Sequence, residues 1–107
     1  MTKFLVLYRS DVTPGEAMGS PEEAQAGMEA WMAWMQRAGS AVVDLGSPVN
    51  RVTTVGSGAS GQPIGGFSIL EADSKEAAEA LLDGHPHLES PGGPSIEVLE
   101  FLPLPGM

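Results

Sequence analysis

GGFSILEADSKEAAEALLDGHPHL, residues 65–88, decides the fold. After the glycine pair, Phe67 to Ala72 is dense in apolar and β-forming residues, as the interior of a sheet requires. Asp73 then stands where an N-cap belongs, with Glu76 three residues on, the spacing of a capping box. Ala77, Ala78, Leu81 and Leu82 share one helical face, while Lys75, Glu76 and Glu79 share the other. Gly84 supplies a left-handed stop and Pro86 forbids continuation. His85, four residues past Leu81, carries the apolar face beyond the helix end; His87 is expected to point away, toward solvent.

Upstream, KFLVLYR (3–9) is apolar on both parities and reads as a strand covered on both faces. A polar loop over 10–19 follows. Ser20-Pro21-Glu22-Glu23 opens a helix with a cap residue, a first-turn proline and a glutamate at the capping-box position. The helix runs to Ala38, and Gly39 ends it. Its wide apolar face gathers Ala24, Met28, Trp31, Met32, Trp34, Met35 and Ala38. Such a stripe is either core, with Met filling irregular space, or the lining of an apolar ligand cavity.

Ala41–Leu45 reads as a short strand broken by Gly46-Ser47-Pro48, and Val49–Val55 as a further strand segment. The glycine-rich stretch 56–66 is a hairpin tip or a lid. No Lys-Ser or Lys-Thr pair follows it, so it is not a phosphate loop. Residues 89–94 form a turn region, and Ser95–Leu102 the last strand, again apolar on both parities. The PLPG tail lacks the N–H groups a central ladder needs.

The order β-α-β-β-α-β is the ferredoxin-like split βαβ pattern: one α+β domain over 1–107, a four-stranded antiparallel sheet with two helices on one face. The other face would be bare in a monomer. Each large apolar side chain withdrawn from water contributes about 1.5 to 3 kcal/mol, so the expected solution is a homodimer through the sheet faces, a dimeric α+β barrel.

Fourteen acidic against five basic residues give a formal charge of −9, a surface that repels nucleic acid and anionic membrane alike. The chain has no cysteine, which removes thiolate nucleophiles and cysteine-based zinc sites. The run Phe4–Tyr8 is too short for a signal sequence or a membrane span. These features predict a protein of the cytoplasm.

Candidate chemistry is sparse. His85 is the candidate general acid or base, its ordinary pKa lying near neutrality; the alternative is a cationic histidine at a helix end. Asp44, closing an apolar strand, is its candidate catalytic partner. Tyr8, Met28, Trp31 and Met35 are candidate ligand-binding residues. Arg9 and Arg51, near strand ends, could clamp a carboxylate or form surface ion pairs. His85 and His87 lack the third ligand of a catalytic zinc site, so no metal and no cofactor is expected.

The segment GGFSILEADSKEAAEALLDGHPHLESPGGPSIEVLEF resembles the second half of YCII-related (DGPF-like) proteins, and KFLVLYR with the helix ending at Gly39 resembles their first half. The resemblance implies a dimeric ferredoxin-like fold with a small cavity in each subunit. Where some members carry a helix His and a later Asp as a proposed catalytic pair, this chain has Met28 or a neighbour and His85. SGQPIGGF stands where another branch has its Asp-Gly-Pro-Phe motif. The expected function is binding of a small apolar or aromatic molecule between helices and sheet, with isomerase, lyase or oxygenase-type chemistry as the enzymatic form. The alternatives are a ligand-binding protein without turnover and a dimeric interaction module.

Overall fold

The computed structural model describes residues 1–13, 16, 19–58 and 61–105; the remaining parts of the expected 10–19 loop, 56–66 loop and tail lie outside the described residues. The elements are β1 (Thr2–Arg9), α1 (Pro21–Ala38), β2 (Val42–Pro48), β3 (Ile64–Ala72), α2 (Lys75–Leu81) and β4 (Ser95–Glu100). The strands form one antiparallel sheet in the order β2-β3-β1-β4, which is the ferredoxin-like arrangement.

The alternation along β1 sorts the two faces. Phe4, Val6 and Tyr8 are buried, as are Ser68, Leu70 and Ala72 of β3. Trp34 and Leu82 pack on Val6, Tyr8 and Leu70, and Ala78 packs on Phe4 and Ala72, so both helices cover this one face. The opposite parity holds Leu5 opposite both Ile69 and Leu99, and Leu7 opposite Phe67. Charged residues flank that apolar centre: Lys3 opposite Glu71 at one end, and an Arg9–Glu97 ion pair of 2.9 Å at the other.

Both helices start at serine. Ser20 Oγ accepts from the Glu23 amide at 3.2 Å, as its sequence context predicts. At α2 the cap is Ser74, which accepts from the Ala77 amide at 3.1 Å, one residue later than the Asp73 expected. Ser74 has the extended backbone that an N-cap needs, so the helix starts at Lys75. The wide stripe of α1 also divides. Trp34 is buried and Trp31, Met35 and Ala38 pack on the core, but Met28 and Met32 are 70% and 45% exposed. α2 has seven residues against eighteen in α1, about 10 Å against 27 Å, and leaves part of the longer helix uncovered.

The middle of the chain differs most from expectation. Gly46-Ser47-Pro48 does not break β2 but continues it as a bulged edge strand. Gly46 has φ +82°, and a Cβ there would overlap the Phe67 carbonyl; Pro48 is tolerated because β2 is an edge. Pairing stops where the Val49 amide donates to the Gly65 carbonyl at 3.0 Å. The expected strand over Val49–Val55 is instead an irregular, exposed arm outside the sheet, with Val52 and Val55 94% and 95% exposed. No helix among the described residues is long and apolar enough to cross a membrane.

Candidate functional site

The aromatic residues of the helix-covered face meet at His85. After α2 the chain turns through Gly84, at φ +70°, and Pro86 begins a short 3-10 turn over Pro86–Glu89. His85 is the N-cap of that turn. Its Nδ1 accepts the backbone N–H of His87 at 3.0 Å. It therefore serves as an acceptor at the start of a turn, not as a cation at the end of a helix. The side chain is fully buried. Trp34 and Trp31 of α1 stand 4.4 and 4.5 Å from its ring centroid, and Tyr8 of β1 stands 5.0 Å away. Tyr8 and Trp31 meet edge to face at 4.9 Å and complete the box. Trp31, half-buried, forms its outer wall.

The protonation states follow from burial and hydrogen bonding. Burial, reinforced by the nearby His87 and Arg37, pushes the His85 pKa down to about 3, so the ring is neutral at pH 7. Tyr8 Oη donates to Ser68 Oγ at 2.8 Å, and Ser68 Oγ donates to the Leu45 carbonyl at 2.6 Å. Burial pushes the Tyr8 hydroxyl up to about 12 against the lowering effect of Ser68, so it stays a phenol. One buried side-chain polar atom of the box has no partner among the described residues: Nε2 of His85. A buried polar group left without a hydrogen bond costs on the order of 1 to 3 kcal/mol, so such groups are rare and informative.

No family model matches this chain, and no curated protein matches it. Among solved structures it is similar to 5-chloro-2-hydroxyhydroquinone dehydrochlorinase (TftG) from Burkholderia phenoliruptrix AC1100, determined in complex with 2,5-dihydroxybenzoquinone. The similarity covers 94% of this chain and 93% of that one, with a TM-score of 0.56 and 20% sequence identity. What the two share is the ferredoxin-like α+β fold.

Of the residues singled out from the sequence, the fold brings Tyr8, Trp31, Met35 and His85 to one cluster or its edge. Asp44 is exposed on the bulge of β2, its Oδ1 accepting the Gly46 amide at 2.8 Å. Met28 lies on the outer side of α1, beside a shallow apolar concavity of about 400 Å³ shared with Met32 and Ala33. Arg51 is exposed on the arm that follows β2. Arg9 follows Tyr8 at the end of β1, but its side chain is bound to Glu97 and to the Gln62 carbonyl, in an open cleft of about 500 Å³ lined also by Ser95 and Ile96. His87 does not face solvent: it is half-buried, with Nε2 2.9 Å from the Arg9 carbonyl and 3.1 Å from that of Ser95. Two members of the site escaped the sequence reading. Trp34 was hidden in a stripe read as a whole. Ser68 was legible in principle, as a polar residue on the inward parity of an apolar strand.

Proposed function

We propose that this protein is a single-domain, YCII-like cytoplasmic homodimer that binds a small aromatic or quinonoid molecule at the box of Tyr8, Trp31, Trp34 and His85. The observation that carries the reading is the unpartnered, fully buried Nε2 of His85 among three aromatic rings. A mostly apolar site with a few placed polar groups is the usual form of a small-ligand pocket. The ligand class is further supported by the sequence resemblance to YCII-related proteins and by the likeness in fold to a dehydrochlorinase solved with a dihydroxybenzoquinone. With these rings packed together, entry requires Trp31, the half-buried outer wall, to move aside. Asp44, Met28, Arg9 and Arg51 are left to roles outside this box.

The dimer part rests on the second sheet face. Leu5, Leu7, Phe67, Ile69 and Leu99 form an apolar centre with charges of both signs at its ends, a surface suited to a second copy of itself. This same face carries the second reading, an interaction module whose dimer is the function. Thermal melting with 2,5-dihydroxybenzoquinone separates the two, because a ligand that binds the folded state raises its stability with concentration. A saturable rise supports a ligand-binding protein; a flat melt beside a dimer mass supports the interaction module.

A further inference from the structure

From the geometry we infer that His85 acts as a neutral hydrogen-bond donor through Nε2–H, and that the box takes aromatic or quinonoid rings bearing an acceptor oxygen. The inference rests on the reading of the box as a ligand site and adds the polarity of its ligand. The argument begins with the backbone. A main-chain N–H only donates, so the His87 amide at 3.0 Å fixes Nδ1 of His85 as an acceptor. In a neutral imidazole the other nitrogen then carries the hydrogen. The unpartnered buried atom is thus an N–H group, not a lone pair. Aromatic faces are weak acceptors and do not replace a hydrogen bond to oxygen.

The same logic fixes the neighbouring hydroxyls. The Leu45 carbonyl can only accept, so Ser68 donates to it and Tyr8 donates to Ser68. The Tyr8 hydrogen is committed, and its oxygen offers only lone pairs. Of these buried polar atoms, Nε2 of His85 is accordingly a donor and Oη of Tyr8 an acceptor. Nε2 has no lone pair in this tautomer, so His85 does not take a proton from a bound molecule. Its role is to meet a carbonyl or phenolate oxygen and stabilise negative charge there.

The test uses nitrogen-15 NMR of the full chain labelled at histidine, with two probes of one shape. Acetophenone carries a carbonyl, and α-methylstyrene puts a carbon–carbon double bond in its place. The free protein at pH 7 is expected to show His85 as the neutral Nε2–H tautomer. Acetophenone is expected to shift Nε2 and to bind about tenfold tighter than α-methylstyrene. His85→Gln, which retains an N–H donor, keeps that preference, and His85→Leu loses it. An Nδ1–H tautomer or an imidazolium at pH 7 overturns the inference whether or not anything binds. Equal affinity for both probes overturns the donor role and leaves the box a ligand site. Failure of both probes to move any box resonance, with the Nε2–H tautomer present, overturns the ligand-site reading and this role with it. The tautomer and the probe pair need only wild type, so they decide the matter even if His85→Leu does not fold.

Discussion

The indole Nε1 of Trp34 donates to the carbonyl of Leu81 at 2.8 Å, tying the C-terminal part of α1 to the last residue of α2. That carbonyl is one of those a helix leaves unsatisfied at its C-terminal end, and the indole is 1% exposed. The bond holds the two helices at the spacing that encloses His85. Trp34→Phe should destabilise the fold by about 1 to 3 kcal/mol, leaving the carbonyl unpaired and a gap in the core. Urea unfolding measures this, and an unchanged midpoint would mean that the indole holds nothing.

The helix starts give a paired comparison. Ser20→Ala and Ser74→Ala should each cost about 1 kcal/mol, because each hydroxyl satisfies an orphan amide. Asp73→Ala should cost less than half as much, about the size of an ordinary surface change. Equal losses at Asp73 and Ser74 in urea titrations would place the cap elsewhere.

Acid should weaken the fold through His85. In the unfolded chain the ring protonates at its ordinary pKa of 6.5, and in the folded protein only near 3. The groups facing it are His87 on the same turn, Arg37 on α1 and Tyr8 on β1. Between those values the unfolded state binds the extra proton, so stability falls as pH falls, by up to about 1.4 kcal/mol per pH unit. From pH 6.5 to 5 the loss in wild type should exceed that in His85→Gln by about 1 to 2 kcal/mol. Tyr8 acts at the other limit. Its raised pKa of about 12 keeps it protonated when the unfolded chain ionises near 10, so stability is lost as pH rises between them. Parallel pH profiles for wild type and His85→Gln in the acid range would show that His85 is solvated in the folded state.

The open sheet face should hold two copies together. Light scattering is expected to give about twice the chain mass of 11.1 kDa at micromolar concentration. Leu5→Asp, placed opposite both Ile69 and Leu99, should give a monomer with an unchanged circular dichroism spectrum. A wild-type monomer mass would mean that this face is stable in water.

How far the sequence carried the structure depended on whether a signal was local. The Ser20-Pro21-Glu22-Glu23 start, the Gly39 stop and the two-faced apolar pattern of β1 are each set by nearby residues, and each was legible. The arm over 49–55 was not. Val49, Val52 and Val55 recur every third residue, not every second, and β3 begins only at Ile64, so β2 has no ladder to follow past Val49. The bulge at Gly46 depends on how close β3 lies, which no single stretch encodes. At the site, the inward course of α2 suggested that His85 would reach the core. Its tautomer depends on a hydrogen bond two residues away, formed only because Pro86 begins a 3-10 turn. His87 was read as outward because nothing local shows that the ends of β1 and β4 supply two carbonyls to its ring.

The chain has two tryptophans, and both are walls of the box, so its two indole N–H resonances are sufficient probes of the site. The decisive experiment is to titrate 2,5-dihydroxybenzoquinone into the nitrogen-15-labelled protein and follow those two signals. Both should move with one saturating curve, Trp31 by more than Trp34, because Trp31 is the half-buried wall and Trp34 is fixed to Leu81. Indole signals that stay still while the Met28 and Met32 methyls on the outer side of α1 respond would refute the box as the ligand site.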